Sequence, residues 1–245
     1  MLELSNKFIL SIFFTYLSTQ ILIMASTTEE NYLKALFNLS NEQGEVNISD
    51  LANQLQVSMP TANSMVKNLQ KTGLCVYEKY KPVILTSKGK KEAALIIRKH
   101  RLTEMFLVTK MGFGWEEVHE IAEQVEHIHA PKFFERMDEM MGFPTVDPHG
   151  SPIPDKQGRI QDLRFKNLSE AKAGQEVILA ALADSSTEFL EYLNSRNLTL
   201  GTELKVISKE AFDQSMVISY GDVEKETLSQ KVCEKLLVKT FGSEE

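Results

Sequence analysis

Residues 57–86 read VSMPTANSMVKNLQKTGLCVYEKYKPVILT, and this stretch decides the fold. Ser58 is a helix-capping residue type, and Pro60 suits the first helical turn. Val57, Ala62, Val66 and Leu69 have the spacing of a buried helical seam, so a helix is expected from Pro60 to about Lys71, stopped by Gly73. Two β-prone runs follow, Leu74–Tyr77 and Val83–Thr86, flanking a turn at Glu78–Pro82. Upstream, Asn47–Ser49 leads into a short helix over Asp50–Leu55, and Gln56, Val57 and Ser58 break it from the next. Two short helices around so brief a break make a helix-turn-helix, and with the hairpin they make a winged helix. Ahead of it, TTEENYLKALFNL (residues 27–39) aligns Tyr32, Leu36 and Leu39 on one face of a further helix, with Thr28 as the expected N-cap.

Beyond the hairpin, Ala94, Ile97, Leu102 and Phe106 recur at helical spacing, which predicts one long helix from Ser87 to about Met111, ended by Gly112 and Gly114. Helices are also expected over Trp115–His129 and from Pro131 to Met141. Gly142–Gly158 carries Pro144, Pro148, Pro152 and Pro154 and reads as extended linker. After it, Glu176–Ala181, Glu203–Lys209, Ser215–Tyr220 and Leu237–Phe241 read as strands, with a small helix at Thr187–Leu193. The chain is therefore α+β, with expected divisions at residues 24–91, 92–142, a linker at 143–168 and a β-rich domain at 169–245. Residues 1–23 stand apart. Phe8–Met24 is mostly apolar behind Lys7, like a leader peptide, and Met24 is read as the true start. As a membrane span, roughly 17 residues broken by Thr15, Ser18, Thr19 and Gln20 is marginal. No membrane partner is expected.

The 245 residues carry 27 Lys and Arg against 34 Asp and Glu, a formal net charge of −7. That balance argues against a polyanionic partner until its distribution is considered. Between Gly44 and Arg101 ten basic residues stand against four acidic ones, a local +6. Phosphate binding needs such a patch, since each neutralised phosphate releases condensed counterions. A solvated basic helix face is the alternative, and charge alone does not choose between them. Cys75 and Cys233 form no CxxC pair or framework, which fits a reducing, cytoplasmic setting.

All five histidines, His100, His119, His127, His129 and His149, fall between positions 100 and 149. His100 and Glu104 are four apart and face one way on a helix. On the next helix His119, Glu123, Glu126 and His127 occupy an arc of about 100°. Imidazole and carboxylate converging on one face is how helices hold divalent metals, although any single pair is more often a solvated surface pair. A metalloenzyme would need a motif such as HExxH or a nucleophile with its base, and the chain offers neither. A winged-helix regulator of an organic ligand stays open as a rival.

The stretches TTEENYL, VSMPTANSMVKNLQKTGL, YEKYKPVILTSKGKK, RKHRLTEMFL, VHEIAEQVEHI and GFPTVDPHGSPIP together resemble the diphtheria-toxin-repressor/manganese-transport-regulator (DtxR/MntR) family of metal-dependent repressors. The resemblance runs from about Thr27 to the C-terminus. It implies a winged helix, a helical dimerisation and metal domain, and a C-terminal SH3-like small β-barrel. It implies a homodimer that binds double-stranded operator DNA when loaded with metal. His100, Glu104 and His119 match the ancillary metal site, and Glu123, Glu126 and His127 match the primary site. An N-terminal helix residue completes the primary site in the family, usually aspartate or methionine; here the position holds Asn31, with Glu30 beside it. Glu188 is a further candidate ligand from the SH3-like domain. The iron-responsive branch has cysteine where this chain has Glu123 and the manganese-responsive branch has glutamate, so the resemblance points to Mn²⁺, with Fe²⁺ as the alternative. The Pro60 helix matches the recognition helix, which puts Ser58, Met59, Pro60, Thr61, Asn63 and Ser64 at the groove and Lys67, Lys71, Lys79 and Lys81 on phosphates.

Overall fold

The computed structural model describes residues 26–240. The apolar stretch Phe8–Met24 and the expected start at Met24 lie outside the described residues. The chain divides into two compact units, with the boundary at Ile96/Ile97.

The first unit opens with α1 (Thr27–Leu39), whose N-cap is Ser26 rather than Thr28. Ser26 Oγ accepts from the Glu29 N–H at 3.2 Å while the Glu29 carboxylate accepts from the Ser26 N–H at 2.9 Å. That reciprocal box needs an acid three residues after the cap; Ser26 has Glu29 there, whereas Thr28 has Asn31. After β1 (Glu45–Val46) come α2 (Ile48–Gln54) and α3 (Met59–Lys71), the two helices of the helix-turn-helix. Ala62, Val66 and Leu69 of α3 are fully buried with Leu36 and Leu51, the seam expected from their spacing. The hairpin β2 (Cys75–Val76) and β3 (Val83–Leu85) takes β1 as a third strand, in the antiparallel order β1-β3-β2. Two residues are too few to show a period of two, so β1 is invisible to periodicity.

Helix α4 (Ser87–Phe106) crosses the unit boundary and widens into a π-helical turn, Leu107–Met111, which Gly112 ends in a left-handed conformation at φ 76°. In the second unit, α5 (His119–Val125) is shorter than Trp115–His129. The Trp115 carbonyl, which a longer helix would spend on its own backbone, accepts instead from the ring of His149 at 2.9 Å. Helix α6 (Pro131–Met141) supplies Phe134 and Met137 to a small core with Leu102 and Ile153.

The proline-rich segment is not extended linker in its first half. Asp147, His149, Gly150, Ile153 and Pro154 are buried. Arg98 donates to the Pro154 carbonyl at 2.6 Å and Arg101 to that of Pro152 at 2.5 Å. Asp147 Oδ1 closes a turn by accepting from the N–H groups of His149 and Ser151 at 2.8 and 2.9 Å. Proline stiffens a packed loop as readily as a linker, and composition does not separate the two.

The β-rich part comprises β4 (Lys166–Asn167), β5 (Glu176–Leu182), α7 (Thr187–Asn194), β6 (Glu203–Lys209), β7 (Met216–Tyr220), β8 (Val223–Leu228), α8 (Gln230–Cys233) and β9 (Leu236–Thr240). Its antiparallel sheet runs β4-β9-β5-β6-β7-β8 around a core that includes Leu179, Leu190, Leu204, Met216 and Ile218. Strand β8, VEKETL, buries only Leu228 and carries no apolar alternation to read. The Asp147–Ser151 turn lies against β5. Gly150 has φ 84°, and a Cβ there would stand 2.4 Å from the Ala180 carbonyl oxygen, so only glycine permits this approach. Among the described residues no helix is long and apolar enough to cross a membrane.

Candidate metal centre and nucleic-acid interface

Helices α4 and α5 bring the two His/Glu faces into one network. His100 sits between two carboxylates, Nδ1 at 2.6 Å from Glu126 Oε2 and Nε2 at 3.0 Å from Glu104 Oε1. His119 approaches the same Glu104 Oε1 at 3.4 Å through Nδ1, and Glu123 Oε1 at 3.6 Å through Nε2. His127 Nε2 lies 3.6 Å from Glu126 Oε1, and Glu126 is wholly buried. Two sets have donor atoms close enough to share one cation: His100, Glu104 and His119, and His100, Glu123 and Glu126.

A third set joins them, Glu104 with Asp147 and His149. His149 Nδ1 stands 3.9 Å from Glu104 Oε2 and 4.0 Å from Asp147 Oδ1. Glu104 thus turns one oxygen to His100 and His119 and the other to His149. Asp147 and His149 escape a search for helical spacing because they sit two apart in a loop, although VDPHG belongs to a quoted stretch, and a His and an Asp inside a buried turn is the signal that finds them. Burial alone would raise the Glu104 pKa, but hydrogen bonds from His100 and His119 outweigh it and hold this carboxylate well below its usual range. Burial, reinforced by the Glu104 charge, pushes Asp147 up, against the pull of His149 and Arg101. Burial pushes the Cys75 and Cys233 thiols up to about 11, so neither offers a thiolate at neutral pH. The converging donors are all oxygen and nitrogen.

The structure does not bring Glu188 to this cluster: it is exposed in the first turn of α7 and belongs to none of the three sets. His129 is exposed and also outside them. In the first unit, Glu30 is buried, and Asn31 Oδ1 is buried with no hydrogen-bond partner among the described residues. An unsatisfied buried carbonyl is costly, and a cation ligand is one way to satisfy it.

On the winged helix, Ser58, Met59, Pro60, Thr61, Ser64, Lys67 and Lys71 are exposed along α3, and Lys79 and Lys81 on the wing. Ser58 also caps α3, accepting from the Thr61 N–H at 3.3 Å. Asn63 is partly committed: its Oδ1 accepts from the Tyr77 hydroxyl at 2.5 Å and its amide donates to the Met59 carbonyl at 3.0 Å. Lys81 pairs with Glu78 at 2.7 Å on the open surface, a contact that water screens and phosphate can displace. The wing tip also presents Tyr80, 90% exposed, under Lys79 Nζ at 4.7 Å from its ring; the basic-aromatic run KYK is the signal for it. The far end of the basic window has another job. Arg98, half-buried, pairs with the buried Asp138 at 2.5 Å, and Arg101 lies 3.5 Å from Asp147, so these two charges serve the core rather than phosphates.

Residues 24–83 match the family described as iron dependent repressor, N-terminal DNA binding domain; residues 86–155 match iron dependent repressor, metal binding and dimerisation domain; residues 166–240 match the FeoA domain. The HTH-type transcriptional regulator MntR of Bacillus subtilis (strain 168) is 35% identical over 104 residues, which cover 42% of this chain and 72% of that protein. The chain belongs to the iron-dependent repressor (DtxR/MntR) family. Another relative, the iron-dependent repressor IdeR of Mycobacterium leprae (strain TN), is 35% identical over 127 residues, covering 52% of this chain and 55% of that protein's length. A manganese-dependent transcriptional repressor in complex with manganese has the same fold, with a TM-score of 0.78 at 29% identity over 86% of this chain and 99% of that one. Iron-dependent repressors are DNA-binding transcription regulators, not enzymes, and their parts account for the winged helix, the helical dimerisation and metal domain, and the strand-rich FeoA domain seen here. DNA, a second copy of the chain and a divalent metal are the partners those domains imply.

Proposed function

We propose that this protein is a Mn²⁺-activated cytoplasmic repressor that binds a near-palindromic operator as a homodimer and controls metal-uptake genes. The observation that carries the metal choice is the convergence of Glu104, Glu123, Glu126, His100, His119, Asp147 and His149 with no sulfur among them. Hard oxygen and imidazole donors suit Mn²⁺; affinity order alone would favour Zn²⁺ or Cu²⁺, so selectivity rests on geometry and supply. Fe²⁺ is the second reading, favoured by the iron-dependent regulators among the relatives.

In this reading Glu123, Glu126 and His127 form the primary shell, completed by Asn31 or its neighbour Glu30. The unpartnered Asn31 Oδ1 supports that role. His100, Glu104 and His119 form the ancillary shell, extended through Glu104 to Asp147 and His149, with Glu188 the weakest candidate. Working domain limits are residues 24–91, 92–142, 143–168 and 169–245. Metal binding biases how the two α3 helices of a dimer are spaced, and only a difference in metal affinity between the DNA-competent and other arrangements can shift that equilibrium. Ser58, Met59, Pro60, Thr61, Asn63 and Ser64 then read the major groove, while Lys67, Lys71, Lys79 and Lys81 hold phosphates.

Calorimetric titration with Mn²⁺ tests the shell. Wild type takes up metal stoichiometrically, and Glu126→Gln loses the tighter equivalent. Equal stoichiometry and affinity in the two proteins would remove these donors from consideration.

A further inference from the structure

His149 is held from two sides, by β5 of the FeoA domain and by the Trp115 backbone. Its carbonyl accepts from the Leu182 N–H of β5 at 2.9 Å, and its Nε2 lies 2.9 Å from the Trp115 carbonyl. A carbonyl only accepts, so Nε2 carries a proton, and Nδ1 is the ring nitrogen that faces Glu104 and Asp147. At 3.9 and 4.0 Å those carboxylate oxygens are beyond hydrogen-bond range. They are within donor separation for one cation, which cannot exceed twice a metal–oxygen bond, about 4–5 Å.

Trp115 is itself fixed. Its indole stacks on the His149 ring, centroids 6.0 Å apart and 20° between planes, and packs against the core of the FeoA domain. The indole N–H donates to Asn194 Oδ1 at 2.7 Å, and the Asn194 amide donates to Glu116 Oε2 at 3.0 Å. Asn194 is the last residue of α7, so a relay runs from that helix through Trp115 to the imidazole.

We propose that Trp115 and Asn194 are positioning residues through which the FeoA domain sets the tautomer, the ring orientation and hence the metal affinity of His149. The inference rests on the metal reading of Glu104, Asp147 and His149. Partners behind a ligating histidine typically govern affinity by about 10–100-fold. Trp115 is the single tryptophan of the chain, so its emission reports on this corner alone.

The test is a Mn²⁺ titration of the full-length protein, followed in parallel by calorimetry and by Trp115 emission. His149→Ala removes one metal equivalent, and in wild type the emission change saturates with that same equivalent. Asn194→Leu weakens it by about tenfold or more, leaving the other equivalent and the metal-free melting temperature at wild-type values. Glu116→Gln, which leaves the Asn194 oxygen on the indole, stays near wild type. Wild-type binding of both equivalents by Asn194→Leu overturns the proposal, as does Glu116→Gln failing to the same degree as Asn194→Leu. If His149→Ala instead retains every equivalent, the metal reading of the triad fails, and the relay falls with it.

Discussion

In the proposed metal reading, Glu123 and Asn31 are the two residues on which the chemistry turns. Glu123 stands 3.6 Å from His119 and shares a donor set with His100 and Glu126. Glu123→Cys puts a soft thiolate where a hard carboxylate stood, so activation by Mn²⁺ weakens and the response shifts toward softer or later metals. An unchanged metal profile in operator binding would take Glu123 out of the shell. Asn31 offers a neutral amide oxygen where the family resemblance leads to an acidic or thioether ligand. Asn31→Asp supplies a charged donor to a hard cation, and the Mn²⁺ midpoint for operator binding falls by about tenfold, the scale of a ligand-level change. Asn31→Ala raises that midpoint and leaves metal-free folding intact. Identical midpoints for all three proteins would show that α1 does not reach the metal, and Glu30→Gln in the same titration would then take up the question.

The wing and the Asp147–Ser151 turn are where elements divide the work. Lys79→Ala or Lys81→Ala each lowers the log–log salt slope of operator binding by about 0.9 without changing base preference, because phosphate contacts position but do not specify. A slope unchanged by both substitutions would take the wing off the DNA. Gly150→Ala forces a side chain into a left-handed backbone position and onto the Ala180 carbonyl, costing about 1–3 kcal/mol, read as a lowered midpoint of thermal unfolding. The helix-turn-helix is legible in Val57–Thr86 because capping, seam spacing and turn chemistry agree there. The His/Glu faces are legible because helical spacing aligns them before any packing is known. The Asp147–His149 loop is not, since its prolines mimic a linker and its burial comes from Arg98, Arg101 and β5, all distant in sequence. Ser26 is missed as the cap for a smaller reason: Thr28 is an equally good residue type, and only the partner at Glu29 separates them.

At the scale of the molecule, a basic winged helix sits in a chain of net charge −7, so on the proposed reading phosphate attraction alone is a poor source of operator affinity and metal loading supplies the rest. The acidic surplus includes the carboxylates proposed as ligands, whose charge a divalent cation would neutralise. Occupancy, DNA affinity and operator spacing are linked quantities in such a protein, and each ligand substitution moves them together. The most direct measurement is operator affinity of the full-length protein against Mn²⁺, Fe²⁺, Co²⁺ and Zn²⁺, with the metal-free protein alongside. The account predicts weak binding without metal and a gain of at least about tenfold with Mn²⁺, within the roughly 5–150-fold span typical of allosteric coupling. Equal operator affinity with and without every metal would contradict it.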